Sequence, residues 1–158
     1  MSERSIAVAG DHAGFPLKTK LIEILKEEGW SVLDLGTNSH DSVDYPDFGY
    51  ALADAMADGR AERGLIVCGS GIGISIAANR HPAVRAAMCS EPVSAEMARR
   101  HNDANVLALG ARFVGEAVAV ATLKAFLDAP FEGGRHARRV EKLGRPAFAT
   151  APEAISQE

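Results

Sequence analysis

Cysteine is scarce in this sequence, and a net positive charge is absent. Only two of the 158 residues are cysteines, Cys68 and Cys89, and they form no CxxC pair. This excludes a disulfide framework and a cysteine-based zinc or redox motif, and it predicts two reduced thiols. Acidic residues outnumber basic ones by 21 to 17, and the net charge of -4 gives no electrostatic basis for binding nucleic acid. We therefore expect no nucleic-acid partner.

Long apolar runs are missing as well. The N-terminal stretch is too short for the hydrophobic region of a secretory signal, and no window approaches the roughly 18 apolar residues of a membrane span. We therefore expect a cytoplasmic protein without a membrane partner. Hydrophobic residues make up 47% of the chain, enough for one core. We expect a single domain over residues 1–145 and a tail over 146–158 that is partly disordered.

Short apolar segments alternate along the chain with segments of helical period. The predicted strands are 5–9, 31–35, 64–68, 84–88 and 105–109. The first helix is predicted by an apolar face of Leu17, Leu21, Ile24 and Leu25, with Pro16 at its start and Gly29 beyond its end. Further helices are predicted over 47–57, 74–79, 94–100, 116–127 and 137–143. Because crossovers between parallel strands are right-handed, this order predicts an α/β fold with helices on both faces of a parallel sheet.

Polar and reactive residues follow three of the predicted strands. Asp11 and His12 follow the first, Cys68 ends the third, and Ser90 and Glu91 follow the fourth. Sheets of this type bind ligands beyond the carboxyl ends of their strands, at a switch in strand order. We therefore expect these residues to approach one another in space.

The sequence after Cys68 is rich in glycine, with Gly69, Gly71 and Gly73 before a predicted helix. Such a loop lets backbone amides converge on a ligand, and the helix adds its positive N-terminal end. A Walker loop is excluded because no Gly-Lys-Ser/Thr ending follows, and a dinucleotide fingerprint fails because Ile74 stands where glycine is needed. The loop predicts a site for a phosphate, carboxylate or enolate.

Cys68 and His101 are the candidate proton carriers. A thiol beside converging amides tends to have a lowered pKa, so Cys68 can serve as a nucleophile or a base. His101 lies at the end of a predicted helix, where it can cap the helix or act as a second proton carrier. Cys89 lacks such a loop and is predicted to lie in the core. Arg135, Arg138 and Arg139 form a basic segment that is either a solvated face or a phosphate clamp.

Six groups of motifs occur in order along the chain. They are GDHAGF at 10–15, DLGT and DYPD at 34–37 and 44–47, CGSGIGISIAANR at 68–80, CSEP at 89–92, RRHNDANVLALGAR at 99–112, and FEGGRHARRV at 131–140. With these motifs the chain resembles the type B ribose-5-phosphate isomerases, a family that includes galactose-6-phosphate isomerase subunits. The resemblance implies a Rossmann-like three-layer sandwich with a five-stranded parallel sheet. It also implies a homodimer or dimer of dimers with active sites between subunits, and no metal or other cofactor.

The same resemblance implies a role for each matching residue. Cys68 corresponds to the proton-abstracting base, and His101 to the residue that opens the sugar ring with the help of Asp11. The loop of Gly69, Ser70, Gly71, Ile72 and Gly73 corresponds to an anion hole, with Ser70 where many relatives have threonine. Sugar-contacting positions fall on Asp11, Tyr45 and Asn102, and phosphate-binding positions fall on His12, Arg112, Arg135 and Arg139, some of them donated by the neighbouring subunit.

The expected function is the interconversion of ribose 5-phosphate and ribulose 5-phosphate in the pentose phosphate route. An aldose and a ketose interconvert through an enediolate, which requires a base and an oxyanion hole. Three alternatives remain open at this point. The substrate could be a six-carbon sugar phosphate such as allose or galactose 6-phosphate, Cys68 could be the nucleophile of a hydrolase or transferase, or the protein could bind a sugar phosphate without turning it over.

Overall fold

A parallel sheet of five strands forms the centre of the computed structural model, which describes residues 4–149. The strands are β1 (Ser5–Gly10), β2 (Ser31–Asp34), β3 (Arg63–Cys68), β4 (Ala86–Met88) and β5 (Val106–Gly110). The helices are α1 (Phe15–Glu27), α2 (Tyr45–Ala57), α3 (Ile72–Ala78), α4 (Pro92–Asn102), α5 (Glu116–Asp128) and α6 (Arg135–Leu143), followed by a 3₁₀ turn at Ala147–Ala149.

The strand order is β2-β1-β3-β5-β4, and all four neighbouring pairs are parallel. The chain builds outward from β1 to one side through β2 and to the other side through β3. The switch in strand order therefore falls between β1 and β3, and it opens a crevice at their carboxyl ends. The predicted Rossmann-like α/β sandwich is confirmed.

Two hydrophobic cores cover the two faces of the sheet. One contains buried residues of α1, α4 and α5, such as Leu25, Ala95 and Phe126. The other contains residues of α2 and α3, such as Leu52. Alternation along β3 sends every second side chain to each face. Cys68 lies on the α2–α3 side, where it belongs to the second core.

Two strands begin later than their apolar patterns predict. β4 begins at Ala86 and β5 at Val106, whereas 84 and 105 were expected. The side chain of Asn105 explains both differences. Its amide oxygen accepts a hydrogen bond from Arg85 N at 2.8 Å, and its amide nitrogen donates to Ala83 O at 2.8 Å. These bonds replace the regular pairing between strands.

Several helices begin earlier than their apolar pattern indicates, by two residues for α4 and α6. At α4 the reason is Glu91, whose carboxylate accepts hydrogen bonds from Val93 N at 2.6 Å and Ser94 N at 2.8 Å. These bonds satisfy amides that a helix start leaves unpaired, and Pro92 fits the first helical position. Hydrogen bonds from Ser94 and Val93 lower the pKa of the Glu91 carboxyl. Hydrophobic periodicity does not indicate a carboxylate cap of this kind, so it did not predict the earlier start of α4.

Backbones touch at the carboxyl ends of β1, β3 and β5. A Cβ atom at Gly10 would lie 2.6 Å from Val67 O, and one at Gly14 would overlap the same carbonyl. A Cβ atom at Gly110 would lie 2.5 Å from Ser70 O. These positions therefore require glycine because any side chain would separate the strand ends.

The predicted tail falls mostly beyond this structure. Residues 147–149 form the 3₁₀ turn, and the prediction of disorder over 150–158 lies outside the described residues. Within residues 4–149, none of the helices is long and apolar enough to cross a membrane.

Substituting Gly14 by alanine tests the backbone contact at β3. We expect Gly14→Ala to lower the free energy of unfolding by about 1–3 kcal/mol because the new methyl group collides with a fixed carbonyl. Gly144→Ala is the matched control: its Cβ atom would meet only Glu141 O, at an ordinary 3.6 Å. Urea unfolding of both variants measures the effect, and equal stability of the two would contradict it.

Candidate active site

A cavity of about 580 Å³ opens at the carboxyl ends of β1 and β3, where the strand order switches. Its volume is in the range of small-molecule sites. The lining residues are Asp11, His12, Ala13, Tyr45, Cys68, Gly69, Ser70, Ile72, Gly73, Ile76, Arg112 and Phe113. The structure thus brings together nine residues that the sequence predicted for the site. Ala13, Ile76 and Phe113 were not predicted.

Cys68 ends β3 at the floor of this cavity and is only 3% exposed. Its Sγ atom accepts a hydrogen bond from Gly71 N at 3.1 Å. Gly71 has a φ angle of 77°, and a Cβ atom there would lie 2.8 Å from the carbonyl carbon of Leu109. Glycine at this position therefore lets the loop fold back and direct an amide at the sulfur.

Further amides of the same loop are available to a ligand. Ile72 N donates to Ser70 Oγ at 3.2 Å, which fixes the loop. Within residues 4–149 the amides of Ser70 and Gly73 have no hydrogen-bond partner. Since unpaired amides seek an acceptor, this part of the loop is suited to bind an anionic oxygen.

An arginine and a tyrosine lie against two glycines of the loop. The Arg112 guanidinium lies over Gly69, where a Cβ atom would be only 3.3 Å from its Nη1. Arg112 N also donates to Gly69 O at 3.0 Å. The Tyr45 ring lies over Gly73, where a Cβ atom would be 2.6 Å from the ring carbons. A side chain at either glycine would push these groups from the positions that they occupy.

Asp11 and His12 occupy the wall that follows β1. Asp11 is 6% exposed, and its Oδ1 accepts a hydrogen bond from Gly14 N at 3.0 Å. The ring of His12 is held by Val43, whose backbone N donates to its Nδ1 at 3.1 Å. The buried Lys18 anchors the start of the segment that leads to Val43, since its Nζ donates to Asp34 Oδ1 at 2.7 Å and to Asn38 Oδ1 at 3.1 Å.

Gly71 lies in the same loop and contacts Cys68, whereas the other predicted site residues lie elsewhere. A second cavity of about 310 Å³ between α4 and α6 is lined by His101, Asn102, His136, Arg139, Val140 and Leu143. Arg135 lies at the start of α6 and is exposed. Within one chain these residues do not line the cavity that contains Cys68. The predicted site therefore falls into two separate parts.

The second cavity contains a cluster that the sequence analysis missed. The rings of His101 and His136 stack with centroids 4.4 Å apart, and Glu132 faces both of them. Donor atoms of the three side chains lie within 4.8 Å of one another, a spacing that could suit a metal ion. The nearby charges of Arg100, Arg135 and Arg139 disfavour a cation there. The spacing of Glu132 and His136, four residues apart in the motif FEGGRHARRV, is the signal that could have found them.

The residues after β4 do not join either cavity. Ser90 and Glu91 were expected near the other strand ends, but the Glu91 carboxylate is engaged in capping α4. Cys89 is 4% exposed and belongs to the first core, as predicted. Burial raises the pKa of its thiol, which keeps it protonated. Of the two cysteines, only Cys68 faces a ligand-sized cavity.

Fold and site together define a class: a parallel α/β protein whose topological switch point holds a thiol, a loop of free amides and a guanidinium. The profile of the Ribose/Galactose Isomerase family matches residues 6–143. The chain therefore belongs to the ribose/galactose isomerase family.

Curated relatives match over nearly their whole length. The chain is 47% identical over 140 residues to ribose-5-phosphate isomerase B of Escherichia coli, covering 89% of this chain and 94% of the relative. It is 43% identical over 141 residues to D-erythrulose-4-phosphate isomerase of Pectobacterium atrosepticum, covering 89% and 93%.

Solved structures show the same fold. Ribose-5-phosphate isomerase B of Clostridium thermocellum superposes with a TM-score of 0.88 at 49% identity, covering 89% of this chain and 95% of that one. The enzyme of Mycoplasma genitalium with bound ribulose-5-phosphate superposes with a TM-score of 0.89 at 39% identity, covering 95% and 100%.

The surroundings of His136 predict a pH-dependent stability. Burial lowers the pKa of His136 below the ordinary 6.5. The charges of His101, Arg135 and Arg139 lower this pKa further, whereas the charge of Glu132 raises it. The unfolded chain then binds more protons, so stability is lost as the pH falls below about 6.5. We expect His136→Phe to lose less melting temperature than the wild type between about pH 7.5 and about pH 5.5. His81→Gln is the control, and an equal loss in the wild type and His136→Phe would contradict the prediction.

Proposed function

We propose that this protein is an aldose–ketose isomerase that interconverts ribose 5-phosphate and ribulose 5-phosphate. The observation that carries the proposal is the hydrogen bond from Gly71 N to Cys68 Sγ in a cavity with free loop amides. That arrangement places a base beside an oxyanion-binding surface, which enediolate chemistry requires. The relative with bound ribulose-5-phosphate and the Escherichia coli relative support this substrate.

The reaction begins with the opening of the sugar ring. His101 transfers a proton to the ring oxygen as its bond to C1 breaks, and Asp11 assists with the proton of the anomeric hydroxyl. Cys68 as thiolate then removes the proton from C2 and returns one to C1, while a proton moves from O2 to O1. An enediolate is the intermediate between the two proton transfers.

Negative charge develops on the sugar oxygens when Cys68 removes the proton from C2. The loop of residues 69–73 is placed to stabilise that charge. One donor in an oxyanion hole contributes about 3–4 kcal/mol to the transition state. Ser70 and Gly73 offer such amides, with the Arg112 guanidinium beside them. Tyr45 and Asn102 contact the sugar, and His12, Arg112, Arg135 and Arg139 hold the phosphate, which fixes the carbon that faces the thiolate.

The site is completed by a second copy of the chain in a homodimer or a dimer of dimers. His101, Asn102 and Arg139 line their own cavity, separate from the one that holds Cys68. A symmetric interface brings the Cys68 cavity of one subunit against the His101 cavity of the other. Because the interface is two-fold, the dimer contains two such complete sites. Exposed apolar side chains at the Cys68 cavity, including Ile76 at 53% and Phe113 at 63%, support a partner surface there. The catalytic domain is residues 1–145, and the protein acts in the cytoplasm on the pentose phosphate route.

The number of carbon atoms in the sugar substrate is the part of this proposal that an activity assay must decide. The two curated relatives above are named for five-carbon and four-carbon sugar phosphates. Neither name supports the six-carbon alternative, allose or galactose 6-phosphate. Turnover of ribose 5-phosphate, erythrulose 4-phosphate and the two six-carbon sugars therefore ranks the candidates directly. The proposal requires the highest kcat/KM for ribose 5-phosphate.

Removing the thiol tests the base. We expect Cys68→Ala to lower kcat for ribose 5-phosphate by about a thousandfold, since it removes the group that moves the carbon-bound proton. Cys89→Ala, at the buried cysteine outside the cavity, is expected to keep near-full activity. The assay in deuterated water without added metal should also label the product. A covalent acyl-enzyme would instead indicate a thiol hydrolase or transferase, and binding without turnover would indicate a sensor.

Mixing two inactive variants tests the shared site. When Cys68→Ala and His101→Ala chains refold together, half of the dimers are mixed, and one of the two sites in each has both native residues. We therefore expect about a quarter of the wild-type activity to return. If both residues acted within one chain, every site of the mixed dimer would lack one of them. No recovery, with mixed dimers detected by mass, would exclude the shared site.

A further inference from the structure

His101 is surrounded by two side chains to which the proposed reaction gives no role. His101 lies in the last turn of α4, Glu132 lies in the segment between α5 and α6, and His136 lies in the first turn of α6. Glu132 Oε1 is 3.7 Å from His101 Nε2 and 3.9 Å from His136 Nε2. One carboxylate oxygen therefore faces the same ring atom of both histidines.

The two rings are packed face to face. Their planes differ by 12° and their centroids are 4.4 Å apart. His136 is only 8% exposed, whereas the His101 side chain is 39% exposed. A buried, flat ring thus supports one face of a ring that remains accessible to a ligand.

Glu132 is fixed independently of the histidines. Its backbone N–H donates to Arg100 O at 3.0 Å, and its Oε2 lies 3.9 Å from Arg100 Nη1. Arg100 is itself paired with Glu96 through an Nε–Oε1 distance of 2.8 Å. These contacts tie the segment before α6 to α4, so the carboxylate keeps its place beside His101.

We propose that Glu132 and His136 are positioning residues for His101, holding its ring in the orientation that delivers a proton to the ring oxygen of the sugar. The inference rests on the proposed function. During ring opening the bond from C1 to the ring oxygen breaks, a carbonyl forms at C1, and the proton lost from the anomeric hydroxyl is matched by the proton gained at the former ring oxygen. Glu132 balances the charge of the protonated His101 ring, and His136 sets the plane of that ring.

Burial and the charges around the cluster act on the buried histidine of the pair. Burial lowers the pKa of His136, and the charges of His101, Arg135 and Arg139 lower it further. His136 therefore stays neutral near pH 7 and adds no positive charge beside the ring of His101. The groups that face the pair are Glu132, Arg100 with Glu96 on α4, and Arg135 and Arg139 on α6.

A comparison of cyclic and open-chain substrates tests the inference. Ribulose 5-phosphate cannot close to a furanose because its 5-oxygen carries the phosphate, so exchange of its C1 proton with deuterated water needs no ring opening. We expect Glu132→Gln and His136→Ala to lower kcat/KM for ribose 5-phosphate about ten- to hundredfold, the cost of a misplaced catalytic group. The exchange rate should change by less than about twofold because Cys68 and its loop are intact.

His136→Phe keeps a flat ring against His101 and is expected to restore most of the ribose 5-phosphate turnover. Glu141→Gln is the matched control for the carboxylate, since Glu141 is an exposed acid on α6 that pairs with Arg145. It should behave as the wild type in both assays.

Equal losses in turnover and exchange, or no loss in either, would overturn the inference. These outcomes are distinct from a failure of the proposed function. That function fails if the wild type does not convert ribose 5-phosphate or if Cys68→Ala remains active. If the wild type depends on Cys68 but the ratio of the two rates is unchanged in the variants, only the positioning role is wrong.

Discussion

Contact between backbones at the carboxyl ends of β1, β3 and β5 is the constraint on which the site depends. Gly14 lies against Val67 O, and Gly110 lies against Ser70 O. Hydrogen bonds add to these contacts, since Ala111 N donates to Cys68 O at 2.9 Å. The loop after β3 is thus fixed from both neighbouring strands. Because the loop cannot move away, its amide meets the sulfur of Cys68 rather than water.

Within one chain, the thiol with its loop amides and the two imidazoles lie in separate cavities. The cavity at the carboxyl ends of β1 and β3 holds a buried thiol among backbone amides, where desolvation strengthens each electrostatic contact. The cavity at α4 and α6 is lined by two imidazoles and the exposed Arg139. Sheet geometry can position the first set rigidly, whereas the second set depends on a short helix near the end of the described chain. Under the proposed function, pairing of subunits supplies what the fold of one chain does not.

Local signals in the sequence predicted the sheet and the cavity around Cys68 well. Strand periodicity placed β1 and β3, and Pro16 placed the start of α1 close to its observed position at Phe15. Both signals depend on neighbours in the chain, which a sequence displays directly. The glycine pattern after Cys68 is also local, so the loop could be assigned to anion binding.

Features that arise from contacts distant in sequence could not be predicted in this way. The shortening of β4 depends on Asn105, which lies 20 residues beyond its partner Arg85. The hydrogen bond between Val43 and His12 spans 31 residues. The stack of His101 on His136 joins two helices. Each of these contacts forms when helices, strands and loops pack together. Neither hydrophobic periodicity nor composition indicates such a contact.

The hydrogen bond from Val43 to His12 has a consequence for the tautomer of that ring. A backbone amide can only donate, so Nδ1 must be the unprotonated nitrogen, and the neutral imidazole carries its hydrogen on Nε2. His12 can then only donate through its second nitrogen. The wall of the cavity therefore offers an anion a hydrogen-bond donor, and it discriminates against ligands that present a donor of their own at this position.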